Sequence, residues 1–156
     1  MPTHYKGPAR AVRALDAYIK LARANDSLAA RLQPNIDAAG LTYSQFGVLE
    51  ALHNLGPMYM TELGRKILKT GGNITMVVGN LEKRGLVRRE RSGKDRRYIR
   101  IRLTPGGTAL IRGLFPRHVA ALVKEFSVLA PAEQETLAKL SKKLGLGSAG
   151  RHAGQK

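Results

Sequence analysis

From about Arg10 the apolar residues Val12, Leu15, Ile19 and Ala22, then Leu28 and Leu32, recur every three or four positions between charged ones, the period of a helix with one buried face. Pro34 disturbs this pattern, and Gly40 suits the residue that closes a helix. Thr42 and Gln45 stand three apart as a capping box, with Leu41 and Phe46 across it as a hydrophobic staple. A second helix is therefore expected over about 43–55, ended by Gly56-Pro57. A short helix follows over about 60–68, with Leu63 and Ile67 on one face. After a turn over 69–72, Thr70 is placed to cap a fourth helix that runs to Arg84. Its inward residues are Ile74, Val77, Val78 and Leu81, and Gly85 is its αL cap.

Beyond Gly85 the period shortens to two. Leu86, Val87 and Arg88 lead into a polar tip at Arg91-Ser92-Gly93-Lys94-Asp95. Tyr98, Ile99, Arg100, Ile101, Arg102 and Leu103 return with aliphatic and basic residues alternating, which predicts a β-hairpin with one basic face. Thr104-Pro105 starts a fifth helix, proline taking the first helical position, where its N–H is not needed. The apolar residues Leu110, Ile111, Leu114, Phe115, Val119, Leu122 and Phe126 are too many for a helix that faces water, so they require a partner surface. Pro131 starts a last helix with Leu137, Leu140 and Leu144 on one side, and from Gly145 onward small and polar residues predict a disordered tail. Helix, helix, turn, helix and basic hairpin give the expected fold class: mainly α with a small β-hairpin wing, a winged helix-turn-helix joined to further helices.

Charge sharpens this picture. Among 156 residues there are 27 Lys and Arg against 11 Asp and Glu, a formal net charge of +16. Half of that excess lies within residues 83–102, where Lys83, Arg84, Arg88, Arg89, Arg91, Lys94, Arg96, Arg97, Arg100 and Arg102 face only Glu90 and Asp95. Such density repels itself until a polyanion neutralises it, so phosphate backbones are the expected partner. Other chemistry is thin. Cysteine is absent, which removes disulfides, thiolate zinc sites and cysteine nucleophiles. Histidines stand alone at 4, 53, 118 and 152, with no Gly-rich phosphate loop and no carboxylates paired at helical or hairpin spacing. No enzyme, metal site or cofactor is expected. The longest uncharged stretches, 38–49 and 70–81, are 12 residues, short of the roughly 18 a membrane helix needs. The first residues lack the apolar core of a secretion signal. A soluble cytoplasmic protein without a membrane partner is the expectation.

An α-helix fits the major groove of B-DNA, where base edges differ, and its N-terminal half does the reading. On the fourth helix the outward candidates are Thr70, Gly72, Asn73, Thr75 and Met76, with Asn80 and Lys83 further along. Asn73 can pair with adenine, Thr75 and Met76 can touch thymine methyls, and Gly71-Gly72 let the helix N-terminus approach a phosphate. On the hairpin Arg89, Arg91, Lys94, Asp95, Arg96 and Arg97 are the wing candidates, arginines being drawn into a narrow minor groove.

These residues carry a resemblance. The run Thr-Gly-Gly-Asn-Ile-Thr at 70–75, Leu81-Glu82 with Gly85-Leu86-Val87, Asp95-Arg96-Arg97, and Leu103-Thr104-Pro105-Gly106-Gly107 together resemble the multiple antibiotic resistance regulator (MarR) family, with helix order alike over about residues 10–144. The resemblance implies a homodimer that binds a pseudo-palindromic operator in double-stranded DNA as a sequence-specific regulator, here read as a repressor. It divides the chain into a flexible arm over 1–9, a dimerisation helix over 10–40, a DNA-binding lobe over 41–104, dimerisation helices over 105–144 and a tail over 145–156. The family's wing arginine falls on Arg97 and its orienting aspartate on Asp95. Met76 and Gly79 stand where the family usually has arginine and aspartate, so no base preference carries over.

The resemblance also implies release by a small phenolic or aromatic anion bound between the dimerisation helices and the DNA-binding lobe. By position its candidates are Leu21, Leu32, Phe46 and His53 on the first two helices and Leu114 and His118 on the fifth, the alternative being that the histidines are ordinary packing residues. Peroxide-, zinc- and urate-responsive branches lack their cysteine, second fifth-helix histidine and tryptophan here. The other reading of the charge is an architectural nucleic-acid protein that binds without sequence preference.

Overall fold

The structure is a computed structural model that describes residues 4–67, 71–91 and 98–147. Its elements run α1 (Ala9–Asp37), α2 (Tyr43–Leu55), β1 (Met58–Tyr59), α3 (Met60–Lys66), α4 (Gly71–Lys83), β2 (Val87–Arg91), β3 (Ile99–Leu103), α5 (Pro105–Phe126) and α6 (Pro131–Leu146). This is a mainly helical winged helix-turn-helix. Through Val119 the chain forms one compact unit and from Ala120 a second.

Glycines end two of the helices in the same way. After α1, Gly40 adopts φ +66, its N–H donates to the Asp37 carbonyl at 2.8 Å, and the Leu41 N–H donates to the Ile36 carbonyl at 3.2 Å. After α4, Gly85 adopts φ +68, with Gly85 N–H to Glu82 O at 2.9 Å and Leu86 N–H to Leu81 O at 3.0 Å. Both are Schellman turns, in which a left-handed residue lets the chain satisfy the last carbonyls while a following leucine meets an apolar side chain of the final turn. Ile36, Leu41 and Leu81 are buried in the shared core. At the start of α2, the Thr42 hydroxyl accepts the Gln45 N–H at 3.2 Å and the Gln45 side chain accepts the Thr42 N–H at 3.0 Å, the reciprocal cap expected from the sequence.

Pro34 lies inside α1 without ending it; the proline removes one N–H donor, and packing of Leu32 and Ile36, both buried, carries the helix past it. The sheet has three strands in the order β1-β3-β2, all antiparallel, where the sequence predicts only a hairpin. Met58 and Tyr59 pair with Ile101 and Arg100, and two residues are too few to display a period of two. Two boundaries also shift. Helix α1 already includes Ala9, assigned above to the arm, and α6 includes Gly145 and Leu146, assigned above to the tail; α6 ends instead at Gly147, with φ +57.

The core of the first unit joins Phe46, Val48, Leu49 and Leu52 of α2 to Leu63, to Ile74, Val78 and Leu81 of α4, to Val87 and Ile101 of the sheet, and to Ile111 and Leu114 of α5. Thr104 fixes the start of α5: its hydroxyl donates to the Gly85 carbonyl at 2.6 Å and accepts the Gly107 N–H at 3.0 Å. In the second unit, the turn before α6 is held by the Gln134 amide, which donates to the carbonyls of Phe126 and Leu129 at 3.0 and 3.1 Å.

Candidate nucleic-acid interface

The inward face of α4 is fixed by Ile74, Val78 and Leu81, each at most 1% exposed. Burying that stripe leaves Asn73, Met76, Asn80 and Lys83 on the opposite, exposed side, at the i, i+3, i+7, i+10 spacing of a single helical face. Met76 is 61% exposed, so its side chain is open to a contact from outside the protein. Thr75 is exposed too but stands on the flank toward the sheet, where it lines a notch of about 450 Å³ with Tyr59, Thr61, Arg89 and Tyr98. Gly72 belongs to the first turn of α4. Thr70 lies outside the described residues.

The hairpin strands pair from Val87↔Leu103 to Arg91↔Ile99. That register puts Arg88 directly opposite Arg102, a repulsive pair in a ladder. Glu90 relieves it: its carboxylate lies 3.0 Å from Arg88 and 3.2 Å from Arg102. Arg91 is exposed at the end of β2, whereas Arg89 is held by Glu82 of α4 at 3.7 Å. Lys94, Asp95, Arg96 and Arg97 lie outside the described residues. At the far end of α4, the Arg84 guanidinium donates to the Gly40 carbonyl at 2.6 Å, binding the helix to the turn that follows α1. The holds made by Glu82, Arg84 and Glu90 escape a reading by local pattern, since each partner lies across a turn, a ladder or 44 residues of chain. Tyr59 and Tyr98, with ring centroids 5.8 Å apart, escape it for the same reason.

Of the six effector candidates, the structure brings Phe46 and His118 together, their ring centroids 4.6 Å apart. His53 meets Phe115 instead, edge-on at 6.0 Å. Leu32, Phe46, Leu114 and His118 are buried, while Leu21 is 41% exposed and does not share their burial. Leu114 also lines a crevice of about 400 Å³ between the end of α1 and α5, with Asn35, Ala38, Leu110 and Arg117. His118 Nδ1 is buried with no hydrogen-bond partner among the described residues. Burial pushes the His118 imidazole below the ordinary histidine pKa of 6.5, with the Glu50 charge pulling weakly the other way. Among the described residues no group of three or more metal-ligating side chains gathers, and no helix is long and apolar enough to cross a membrane.

The fold and basic hairpin define a class, the winged-helix DNA-binding regulators. The sequence model of the MarR family matches residues 39–97. The HTH-type transcriptional regulator MhqR of Bacillus subtilis is 35% identical over 134 residues, covering 86% of this chain and 92% of that one. Among solved structures, the MarR-family regulator Sco3205 of Streptomyces coelicolor in complex with DNA superposes with a TM-score of 0.80 at 26% identity, over 92% of this chain and 91% of that one. BpsR of Bordetella bronchiseptica, whose DNA binding is regulated by 6-hydroxynicotinic acid, gives 0.75 at 28% identity, over 83% and 98%. The chain belongs to the MarR family of transcriptional regulators, DNA-binding proteins and not enzymes.

Proposed function

We propose that the protein is a homodimeric, sequence-specific repressor that sets α4 of each protomer into the major groove of a pseudo-palindromic operator and lays the basic hairpin toward the minor groove. The observation that carries this reading is the exposed stripe Asn73, Met76, Asn80 and Lys83, backed by a fully buried face and flanked by the arginines of β2 and β3. Asn73 and Met76 read base edges, Lys83 and Arg91 meet phosphates, and Thr70, Gly72, Thr75, Asn80 and the tip residues Lys94, Asp95, Arg96 and Arg97 complete the contact surface. Dimerisation is supported by apolar surface left uncovered: Leu137, Leu140 and Leu144 line one side of α6, and Tyr18 and Leu21 stand out on α1.

Release by a small aromatic acid completes the reading. BpsR responds to a compound of that chemistry, and Phe46 beside the unpartnered His118 Nδ1 offers an aromatic face and a hydrogen-bonding nitrogen. Leu32, His53 and Leu114 lie on the elements around them, whereas exposed Leu21 lies outside this group.

Selection of duplexes from a random-sequence pool at fixed salt tests the central claim. The expected result is an enriched inverted repeat bound about 10³-fold or more tighter than random duplex. Equal affinity for both would make the protein an architectural binder.

A further inference from the structure

Glu82 is an acidic residue placed where a DNA-binding surface has least use for one, on the flank of α4 beside the basic hairpin. Both of its oxygens are engaged. Oε2 accepts the backbone N–H of Arg89 at 3.2 Å, and Oε1 lies 3.7 Å from Nε of the same residue. The sheet order makes β2 an edge strand, so the Arg89 N–H that turns away from β3 has no strand to pair with. Glu82 supplies the missing acceptor. The guanidinium then lies along α4, its Nη2 3.5 Å from where a Cβ on Gly79 would stand. Residue 79 therefore sits directly beneath the arginine that crosses from the strand to the helix.

The link matters because of what separates the two elements. Between the end of α4 and the start of β2 lie only residues 84–86, turning on Gly85 at φ +68. The Schellman hydrogen bonds of that turn fix where β2 begins, but they act at one end of the strand and leave the rest of the hairpin to be held against α4 by side chains. Below that turn, Glu82 and Arg89 bridge α4 and β2 directly, by a charge-assisted hydrogen bond and an ion pair between the same two residues.

We propose that Glu82 is a positioning residue for DNA recognition: through Arg89 it holds the hairpin at one angle to α4, so that the reading stripe and the basic strands meet the duplex together. Arg89, read from the sequence as a wing contact, acts chiefly as the other half of this strap. The proposal rests on the DNA-binding reading above and adds to it a consequence that runs against simple electrostatics. Removing a carboxylate raises the net charge by one and strengthens any binding that depends on charge alone. Removing a positioning residue weakens only the binding that needs both elements in register.

The experiment compares wild type, E82A, E82Q, R89K and the double variant E82Q/R89K on two duplexes at one salt concentration: the sequence that wild type enriches from a random pool, and a random-sequence duplex of equal length. For E82A the expected result is about tenfold weaker binding to the enriched duplex, the size of one lost charge-assisted hydrogen bond, with random-duplex binding unchanged or tighter. E82Q keeps an acceptor for the Arg89 N–H and loses less. R89K keeps the charge but not the planar fork, and it too lowers the ratio of specific to random affinity. Because the residues act as one unit, E82Q/R89K loses little more than the larger single loss. Circular dichroism melts accompany each variant, and if E82A does not fold, E82Q and R89K carry the comparison. Tighter binding to both duplexes by the Glu82 variants, or equal weakening on both by folded protein, overturns the positioning role. Wild type that enriches no duplex removes the DNA-reading claim itself and this proposal with it.

Discussion

Asn73 occupies the first turns of α4 on the exposed face, and its side chain is an amide, which carries the donor and acceptor pair that matches the edge of adenine. Asn73→Ala is expected to cost about 1–3 kcal/mol on the enriched duplex and to relax preference at one base position, leaving random-duplex affinity nearly unchanged. Selection repeated with the variant checks this, and an unchanged enriched sequence would exclude base reading by Asn73. His118 poses a different question, because it is a histidine buried in the protein, only 6% exposed. Its pKa is lowered chiefly by that burial, so the folded protein keeps the imidazole neutral at pH values where the unfolded chain has begun to protonate it. The resulting stability is present above about pH 6.5, the unfolded value, and is lost as pH falls from there toward the lower folded pKa. Urea titrations at pH 7.5 and 5.5 are expected to show a larger acid loss for wild type than for His118→Gln. Equal losses would mean that protonation of His118 is not linked to folding.

Gly107 shows how the joint between hairpin and α5 is built. A Cβ there would overlap the Leu86 carbonyl oxygen and stand 2.9 Å from its carbon, both backbone atoms that cannot rotate away. At Gly106 the nearest backbone atom would be 3.6 Å off, an ordinary contact. Gly107→Ala is therefore expected to destabilise by about 1–3 kcal/mol or more through overpacking, whereas Gly106→Ala is neutral or stabilising by up to about 1 kcal/mol from helix propensity. Paired urea midpoints decide it, and equal shifts would refute the close approach. The contrast also marks what a sequence can disclose. The Thr42–Gln45 cap and the turns at Gly40 and Gly85 depend on residues within six positions of one another, so their signatures are local and were readable. The stripe on α4 was readable because helix period alone opposes Asn73, Met76, Asn80 and Lys83 to Ile74, Val78 and Leu81. Strand β1 was not, since it pairs Tyr59 with Arg100, 41 positions further along the chain, and two residues leave no pattern. His53 turning to Phe115 and His118 to Phe46 likewise depends on how α2 and α5 rotate against each other, which composition and period leave open.

The proposed reading assigns the basic surface and the apolar surface to two kinds of partner. In the proposed complex the excess of basic residues over 83–102 faces DNA, and the uncovered leucines of α6 face a second copy of the chain. These two demands are coupled, because a dimer brings two basic hairpins to one duplex and doubles the number of phosphates neutralised. If each protomer neutralises about four or five phosphates, the dimer displaces counterions from about eight to ten, and the logarithm of the binding constant falls against the logarithm of salt with a slope near −7 to −9. A monomer would give about half that slope. Sedimentation at micromolar concentration and the salt titration therefore test one picture from two sides. A folded monomer in sedimentation, together with a slope near −4, would set the leucines of α6 aside as a dimer contact. A slope shallower than about −3 in a protein that sediments as a dimer would instead mean that the basic strands lie off the DNA, leaving α4 to make the contact alone.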